Sequence, residues 1–472
     1  MTSKFKIVVS DLHMGAGRAA EGNVLEDFSD PEFVEFLDEI AAESEREAAD
    51  VELIVNGDAL EMLEAPHTAT FDPRAVYRPE EVHSSSEADS AIKVGHILAG
   101  HSTVFQALGR FIQAGPPQRS LVFIKGNHDL NLHWPAVQDE IRRTIGADGE
   151  TATLLSFEEW RIRREGIHVE HGNQYADILS RVRDMVDPRD VENPEQLALP
   201  IGSWLEMDVM NEVERDRPWV DGVKPTLSLV WYALAYDFRF AARAIATLIR
   251  ALPGWAEEAI LAPREDREDL VRQLEDPARV EEIGDRYGSD AAFRAWFNAE
   301  VVRTMGPLPP LPGAAGADVG ARLGGPDAVA IGDRIREQVR LRLSDGAQRL
   351  ATEEGAELVV FGHTHDAGAV LLRDGGTYVN SGTWISTVVP AGADKEYWRE
   401  LFEHPERLRS ERLLSYVRID YDDAGQPVGQ LLAYKPSGER NPTLASVWQR
   451  IVCWFRRVWR SIARRGGKVR AA

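Results

Sequence analysis

Five times along this chain a short apolar run stops abruptly in polar residues, and those stops constrain the fold more than any other feature. They are IVVSDLH (7–13), ELIVNGD (52–58), LVFIKGNHD (121–129), IHVEHGN (167–173) and ELVVFGHTH (357–365). Short runs rich in Val and Ile, separated by helical stretches, predict buried strands of an α/β or layered α/β sheet. Ligands of such sheets gather beyond the carboxyl ends of the strands, where all five polar clusters fall.

Helices are expected between the strands. In 31–49, Pro31 stands where a first helical residue would, and Phe33, Phe36, Leu37 and Ile40 repeat at i, i+3, i+4, i+7. The stretch 87–113 follows a serine cluster with Ser84 and Glu87 spaced as a capping box. Residues 333–354 form another amphipathic candidate.

The polar ends carry Asp11 and His13, Asp58, Asn127, His128 and Asp129, His171, and His363 and His365. Residues at i and i+2 of an extended segment project to one side, so Asp11 with His13, and His363 with His365, can each aim two donors at one cluster. A single cysteine, Cys453, excludes a thiolate cluster and fits a reducing compartment. Imidazoles mixed with carboxylates suit first-row metals such as Mn, Fe, Zn, Co or Ni better than Mg or Ca. So many donors exceed one tetrahedral site, and two divalent ions sharing a carboxylate fit the inventory.

The set DLH (11–13), GDALE (57–61), GNHD (126–129), HG (171–172) and GHTH (362–365), in this order and each after an apolar strand, resembles the calcineurin-like metallophosphoesterases. YVNSGTW (378–384) resembles the strand and turn that follow GHTH in them. The resemblance covers roughly 4–175 and 345–435, and implies a layered α/β/β/α sandwich with two divalent ions, Mn²⁺ first among them. It places Asp11, His13 and His365 on one metal, Asp58 between the two, and Asn127, His171 and His363 on the other. It makes His128 the group that contacts the phosphate and protonates the leaving oxygen, with Asp129 expected to orient it. Glu61 is assigned to a helix terminus or to support of the ligands. The implied reaction is in-line attack by a metal-activated hydroxide on a phosphate ester or pyrophosphate.

The chain departs from that pattern in two ways: the gaps from Asp11 to Asp58 and from Gly57 to Gly126 are longer than in compact members, so loops 14–30 and 62–86 are expected to shape the pocket mouth, and a large insertion interrupts the core. Between His171 and His363 lies a block read as an inserted helical cap, 175–345, which divides the core into 1–174 and 346–435. It ends in 306–327, where Gly and Pro fill 11 of 22 positions and a linker is expected. Helix candidate 226–251 has an apolar seam of Trp231, Leu234, Phe238, Ala241, Ile245 and Leu248. It is read as a helix packed on the core, or as a lid offering Arg239 and Arg243 to a phosphate; Asn127 and His133 are further candidate substrate contacts. An acidic helical stretch, 256–302, follows.

A basic amphipathic tail, 436–472, is a separate feature. Residues 445–472 hold eight Lys or Arg and no acid, although the whole chain has a net charge of −23, so residues 1–444 carry −31. At helical spacing Val447, Trp448, Ile451, Val452, Trp454, Phe455, Val458, Trp459 and Ile462 share one face, opposite Arg450, Arg456, Arg457, Arg460 and Arg464. Such a C-terminal amphipathic helix lies in an anionic membrane surface or docks on its own domain. No secretory signal and no run near the ~20 apolar residues of a spanning helix is present. A cytoplasmic protein, peripheral on the inner face of the membrane, is expected.

A helical cap with a membrane-binding element is most similar to the UDP-2,3-diacylglucosamine pyrophosphatase branch, whose substrate is a lipid-linked nucleotide, although here His128 stands where that branch typically carries Arg. The alternatives are a soluble nucleotide phosphodiesterase or phosphatase, or a membrane-associated scaffold with a vestigial site. Nucleic acid is disfavoured as a partner by the acidic body.

Overall fold

All five polar-ended runs are strands, and all five lie in two mixed sheets of a mixed α/β fold. A computed structural model describes residues 3–18, 21–23, 25–220, 222–250, 264–305, 327–385, 393–408 and 413–436. The tail 445–472, and the linker 306–327 except Asp327, lie outside the described residues. The first sheet runs β11-β10-β1-β2-β3-β4, from β1 (Ser3–Val9), β2 (Ala49–Asn56), β3 (Arg119–Ile124), β4 (Leu155–Glu158), β10 (Ser415–Tyr421) and β11 (Pro427–Ala433). The second runs β5-β6-β7-β9-β8, from β5 (Arg161–Arg164), β6 (Ile167–Glu170), β7 (Leu358–Phe361), β8 (Gly368–Leu371) and β9 (Thr377–Asn380). β1, β2, β3 and β4 pair in parallel, as do β6, β7 and β9, whereas β10 is antiparallel to β1.

Strand alternation gives each sheet two apolar faces. Val8, Ile54, Val122 and Ile124 of the first sheet share one buried cluster with Ile167, Val169, Leu358, Val360 and Val379 of the second. The sheets therefore meet face to face. Helices Asp30–Glu47 and Ser102–Gln113 pack on β2 and β3, and helix Ala328–Glu354 covers Val359 and Phe361 with Val339, Leu343 and Ala347.

Several helix boundaries differ from the sequence expectation. The stretch 87–113 is two helices, Glu87–Gly100 and Ser102–Gln113, broken at His101. The cap of the first is Ser86, whose hydroxyl accepts from Asp89 N; Ser84 donates instead to the Asp89 carboxylate, so no Ser84–Glu87 box forms. The stretch 226–251 is likewise broken at Asp237, into Thr226–Tyr236 and Phe238–Arg250. The acidic stretch contains Arg264–Glu275, Pro277–Ser289 and Ala291–Met305.

The insert has its own buried cluster, built on Trp231, Tyr232, Ala241, Ile245 and Leu248, but it is not a separate unit: residues 1–432 form one. Helix Ala328–Glu354 is shared, giving Ile331 and Ile335 to the insert and Val339 to Leu350 to the second sheet. Helix Lys395–Glu403 also packs into the insert, through Trp398, Leu401 and Phe402, and the Trp398 ring stacks 3.7 Å from that of Tyr232.

Candidate metal centre

Because β1, β2 and β3 run in parallel, and β6 and β7 do too, their carboxyl ends deliver DLH, GD, GNHD, HG and GHTH to one place. Two groups of potential ligands face each other there: Asp11, His13 and His365, and Asp58, His171 and His363. In the first, the Nε2 atoms of His13 and His365 are 3.2 Å apart, and His365 Nε2 is 3.4 Å from Asp11 Oδ1. Donors about 2.1 Å from a common ion sit roughly 3–3.4 Å from one another, so these spacings need little adjustment to hold a metal. In the second, His171 Nε2 lies 2.9 Å from Asp58 Oδ2, and that oxygen is also 4.0 Å from His13 Nε2. Asp58 thus stands between the groups.

The backbone here is unusual. Seven non-glycine residues have positive φ among the described residues, and five belong to the site: Asp11 (54°), His13 (45°), Asp58 (50°), His363 (72°) and His365 (57°). Such conformations are uncommon outside glycine and concentrate at functional sites. They also correct the expectation drawn from extended spacing. The DLH and GHTH segments are turned, and His363 and His365 diverge, one to each group.

Glycines let the turns approach one another. A Cβ on Gly126 would lie 2.2 Å from Asp58 Oδ1, and one on Gly57, at φ +81°, 2.4 Å from His171 Nδ1. Asp129 accepts from Gly126 N at 2.6 Å and from Ala59 N at 2.8 Å, tying the third turn to the second. The carboxylate holding the His128 ring is a different one, Glu61. Its Oε2 accepts from Nδ1 of His128 and from Nδ1 of His13, each at 2.7 Å, and these three residues form a third group of potential ligands. Sequence reasoning gave Glu61 only general support; its position in GDALE was the available signal.

The electrostatics follow from burial among carboxylates. Burial pushes the His128 and His171 imidazoles down, but Glu61 with Asp58, and Asp58 with Asp11, outweigh it and raise them to about 10 and about 9. His363 is driven well below its usual value by burial and by His171. Burial works to raise the Asp58 carboxyl, yet His171 and His128 hold it well below the ordinary range. Asp129 is pushed up to about 6 by burial and Asp58. Without metal, two buried imidazolium groups offset charge that divalent ions would offset in their place. Asn127 Oδ1 and His363 Nδ1 are buried with no hydrogen-bond partner, a cost of about 1–3 kcal/mol each that ligation would remove. The residues fit metal ions, and the tautomers agree: His171 Nδ1 donates to Asn56 O at 3.0 Å, freeing Nε2 for an ion.

A cavity opens beside Asp58, Asn127, His128 and His363. Its far wall comes from the insert: Ser180, Ser203, Glu206, Lys224 and Thr226. Glu206 begins a single π-helical turn, Glu206–Met210, a distortion common at functional sites. Nothing in the sequence marked Lys224, which sits in a short loop of the insert.

Three candidate contacts are not among the residues lining this cavity. His133 faces Asp187 at 3.8 Å, Arg239 lies 3.9 Å from Glu281 on the surface, and Arg243 pairs with Glu212 at 2.6 Å. Loops 14–30 and 62–86, expected at the pocket mouth, line a neighbouring cavity, where Ala16, Leu25, Phe71 and Tyr77 face Met207 and Arg215. Other histidines anchor these loops: His101 bonds Asp30 at 2.5 Å and Glu26 at 3.0 Å, and His83 bonds Asp208 at 2.6 Å. Among the described residues, no helix is long and apolar enough to cross a membrane. Comparison with protein-family models finds no match for this chain, and comparison with curated proteins finds none either.

Proposed function

We propose that the chain is a binuclear metal-dependent phosphoesterase of the calcineurin-like type, hydrolysing a phosphate ester or anhydride. The observation that carries this reading is the position of Asp58, whose Oδ2 is 2.9 Å from His171 Nε2 in one ligand group and 4.0 Å from His13 Nε2 in the other. Two ions roughly 3.5–4 Å apart repel, and a shared carboxylate is what holds them together. The facing sheets with helices on their outer faces, and the five turns in family order, support the same reading.

Asp11, His13 and His365 would hold one ion, Asn127, His171 and His363 the other, with Asp58 in common. Mn²⁺ is proposed, with Fe, Zn, Co or Ni as candidates for the same mixed donors. Bound there, such ions would activate water near neutral pH and would offset the charge that grows on the phosphoryl oxygens. The remaining work belongs to side chains. Glu61 fixes Nδ1 of His128 and favours the protonated ring, so Nε2 can give a proton to the leaving oxygen. Asp129 braces the turn that carries Asn127 and His128.

Hydrolysis of p-nitrophenyl phosphate and bis-p-nitrophenyl phosphate with Mn²⁺ tests this, comparing the native chain with Asp58→Ala and His128→Ala. Both variants should lose at least about a hundredfold in kcat, and equal rates in all three would refute the assignment. We further propose that 445–472, with its eight basic residues and Trp-bearing face, places the enzyme on an anionic membrane surface. Deleting it should abolish flotation with phosphatidylserine vesicles; undiminished flotation removes that role.

A further inference from the structure

The wall that the insert adds to this cavity is polar and charged: it holds the carboxyl groups of Asp177, which accepts from Leu179 N and Ser180 N, and of Glu206, and among the described residues lining the cavity Lys224 is the only Lys or Arg. It shares that lining with His128, Asn127 and His363, which the turns at the strand ends supply. Ser180, Ser203 and Thr226 add hydroxyls on the same wall.

Phosphate esters differ in what they can offer such a wall. A diester has two non-bridging oxygens and one negative charge, and both oxygens are engaged when it faces a binuclear centre. A monoester has three non-bridging oxygens and close to two charges, so one anionic oxygen remains for a donor on the far side. An ammonium is well suited to that oxygen as a compact charged donor.

We propose that Lys224 is the specificity-determining residue of this site and selects substrates whose reacting phosphoryl group is terminal and dianionic. This rests on the phosphoesterase reading and narrows it. In the reaction the oxygen of water bonds to phosphorus, the ester P–O bond breaks, and the leaving oxygen takes its proton from His128, which water then restores. The net products are an alcohol and inorganic phosphate.

The test compares Lys224→Met and Lys224→Arg with the native chain, all loaded with Mn²⁺. Each is assayed on p-nitrophenyl phosphate and bis-p-nitrophenyl phosphate, and each is titrated calorimetrically with inorganic phosphate. For Lys224→Met, the monoester-to-diester ratio of kcat/KM should fall about tenfold or more, and phosphate should bind about tenfold more weakly, as expected for the loss of one charged hydrogen bond. Lys224→Arg, which keeps the cation, should retain most of both. Thermal unfolding and Mn²⁺ titration identify any variant that has lost its fold or its metal; if Lys224→Met has, Lys224→Gln is read in its place. An unchanged ratio, or phosphate binding insensitive to the substitution, overturns the proposal while leaving hydrolysis itself standing. Should the native chain hydrolyse neither ester, the phosphoesterase reading fails, and the phosphate titration alone decides whether Lys224 recognises the anion.

Discussion

Glu61 is where the structure makes its most exposed prediction. One carboxylate oxygen accepts two imidazole protons at 2.7 Å each, from a proposed metal ligand, His13, and from the proposed acid, His128. Burial raises the Glu61 carboxyl, but His128 and His13 overcome it and hold the group at about 2, against 4.5 ordinarily. A carboxyl depressed in the folded state contributes stability above its unfolded value and loses it as pH falls through the folded one. Glu61→Gln should therefore cost the metal-free chain about 3 kcal/mol at pH 7, at roughly 1.4 kcal/mol per unit, and far less at a pH near 2. It should also weaken Mn²⁺ binding about 10- to 100-fold, because the charge that fixes the His13 tautomer and strengthens its Nε2 as a donor is gone. Urea unfolding of metal-free protein gives the first quantity, and calorimetric titration with Mn²⁺ gives the second. Mn²⁺ affinity within about twofold of the native value would show that Glu61 does not support the site, whatever its contact with His13.

Two further outcomes follow from residues around the site. His101 is buried between Glu26 and Asp30; burial lowers it, but the two carboxylates win and raise it to about 9. That stabilisation is complete below about 6.5 and disappears as pH rises through 9, so His101→Gln should cost about 3 kcal/mol at pH 6 and little at pH 10; a penalty in urea unfolding that ignores pH would contradict it. Gly126→Ala puts a carbon 2.2 Å from Asp58 Oδ1, so Asp58 must move. Hydrolysis should drop about a hundredfold or more while circular dichroism keeps the native helix signal, and a variant with native activity would show that Asp58 tolerates displacement.

What the sequence made legible, and what it hid, divides along a physical line. The strands that end at Asp11, Asp58, Asn127, His171 and His363 could be read because an apolar run that stops in polar residues is a local signal, complete within ten residues. The pairing of those ends into two ligand groups could not be derived from spacing. The extended-segment rule sends His363 and His365 to one cluster, whereas the left-handed turns at both residues send them to different ones. The family resemblance, by contrast, implies the same division as the two groups of potential ligands, with His365 beside Asp11 and His13, and His363 beside His171. Lys224 was hidden, and Glu61 was legible only as general support for the ligands, for a related reason. Glu61 acts on His128 across 67 positions of chain and on His13 across 48, and Lys224 meets the cavity through a loop with no pattern of its own. Arg239 and Arg243 show the converse. They share a helix with an apolar seam, which made them look like a lid's anion donors, but nearly every position of that helix from Phe240 to Ile249 is buried, and these arginines instead face Glu281 and Glu212. Helical periodicity fixes which residues share a face. It does not fix which surface that face meets, and in this chain the basic residue facing the proposed catalytic cavity comes from a loop.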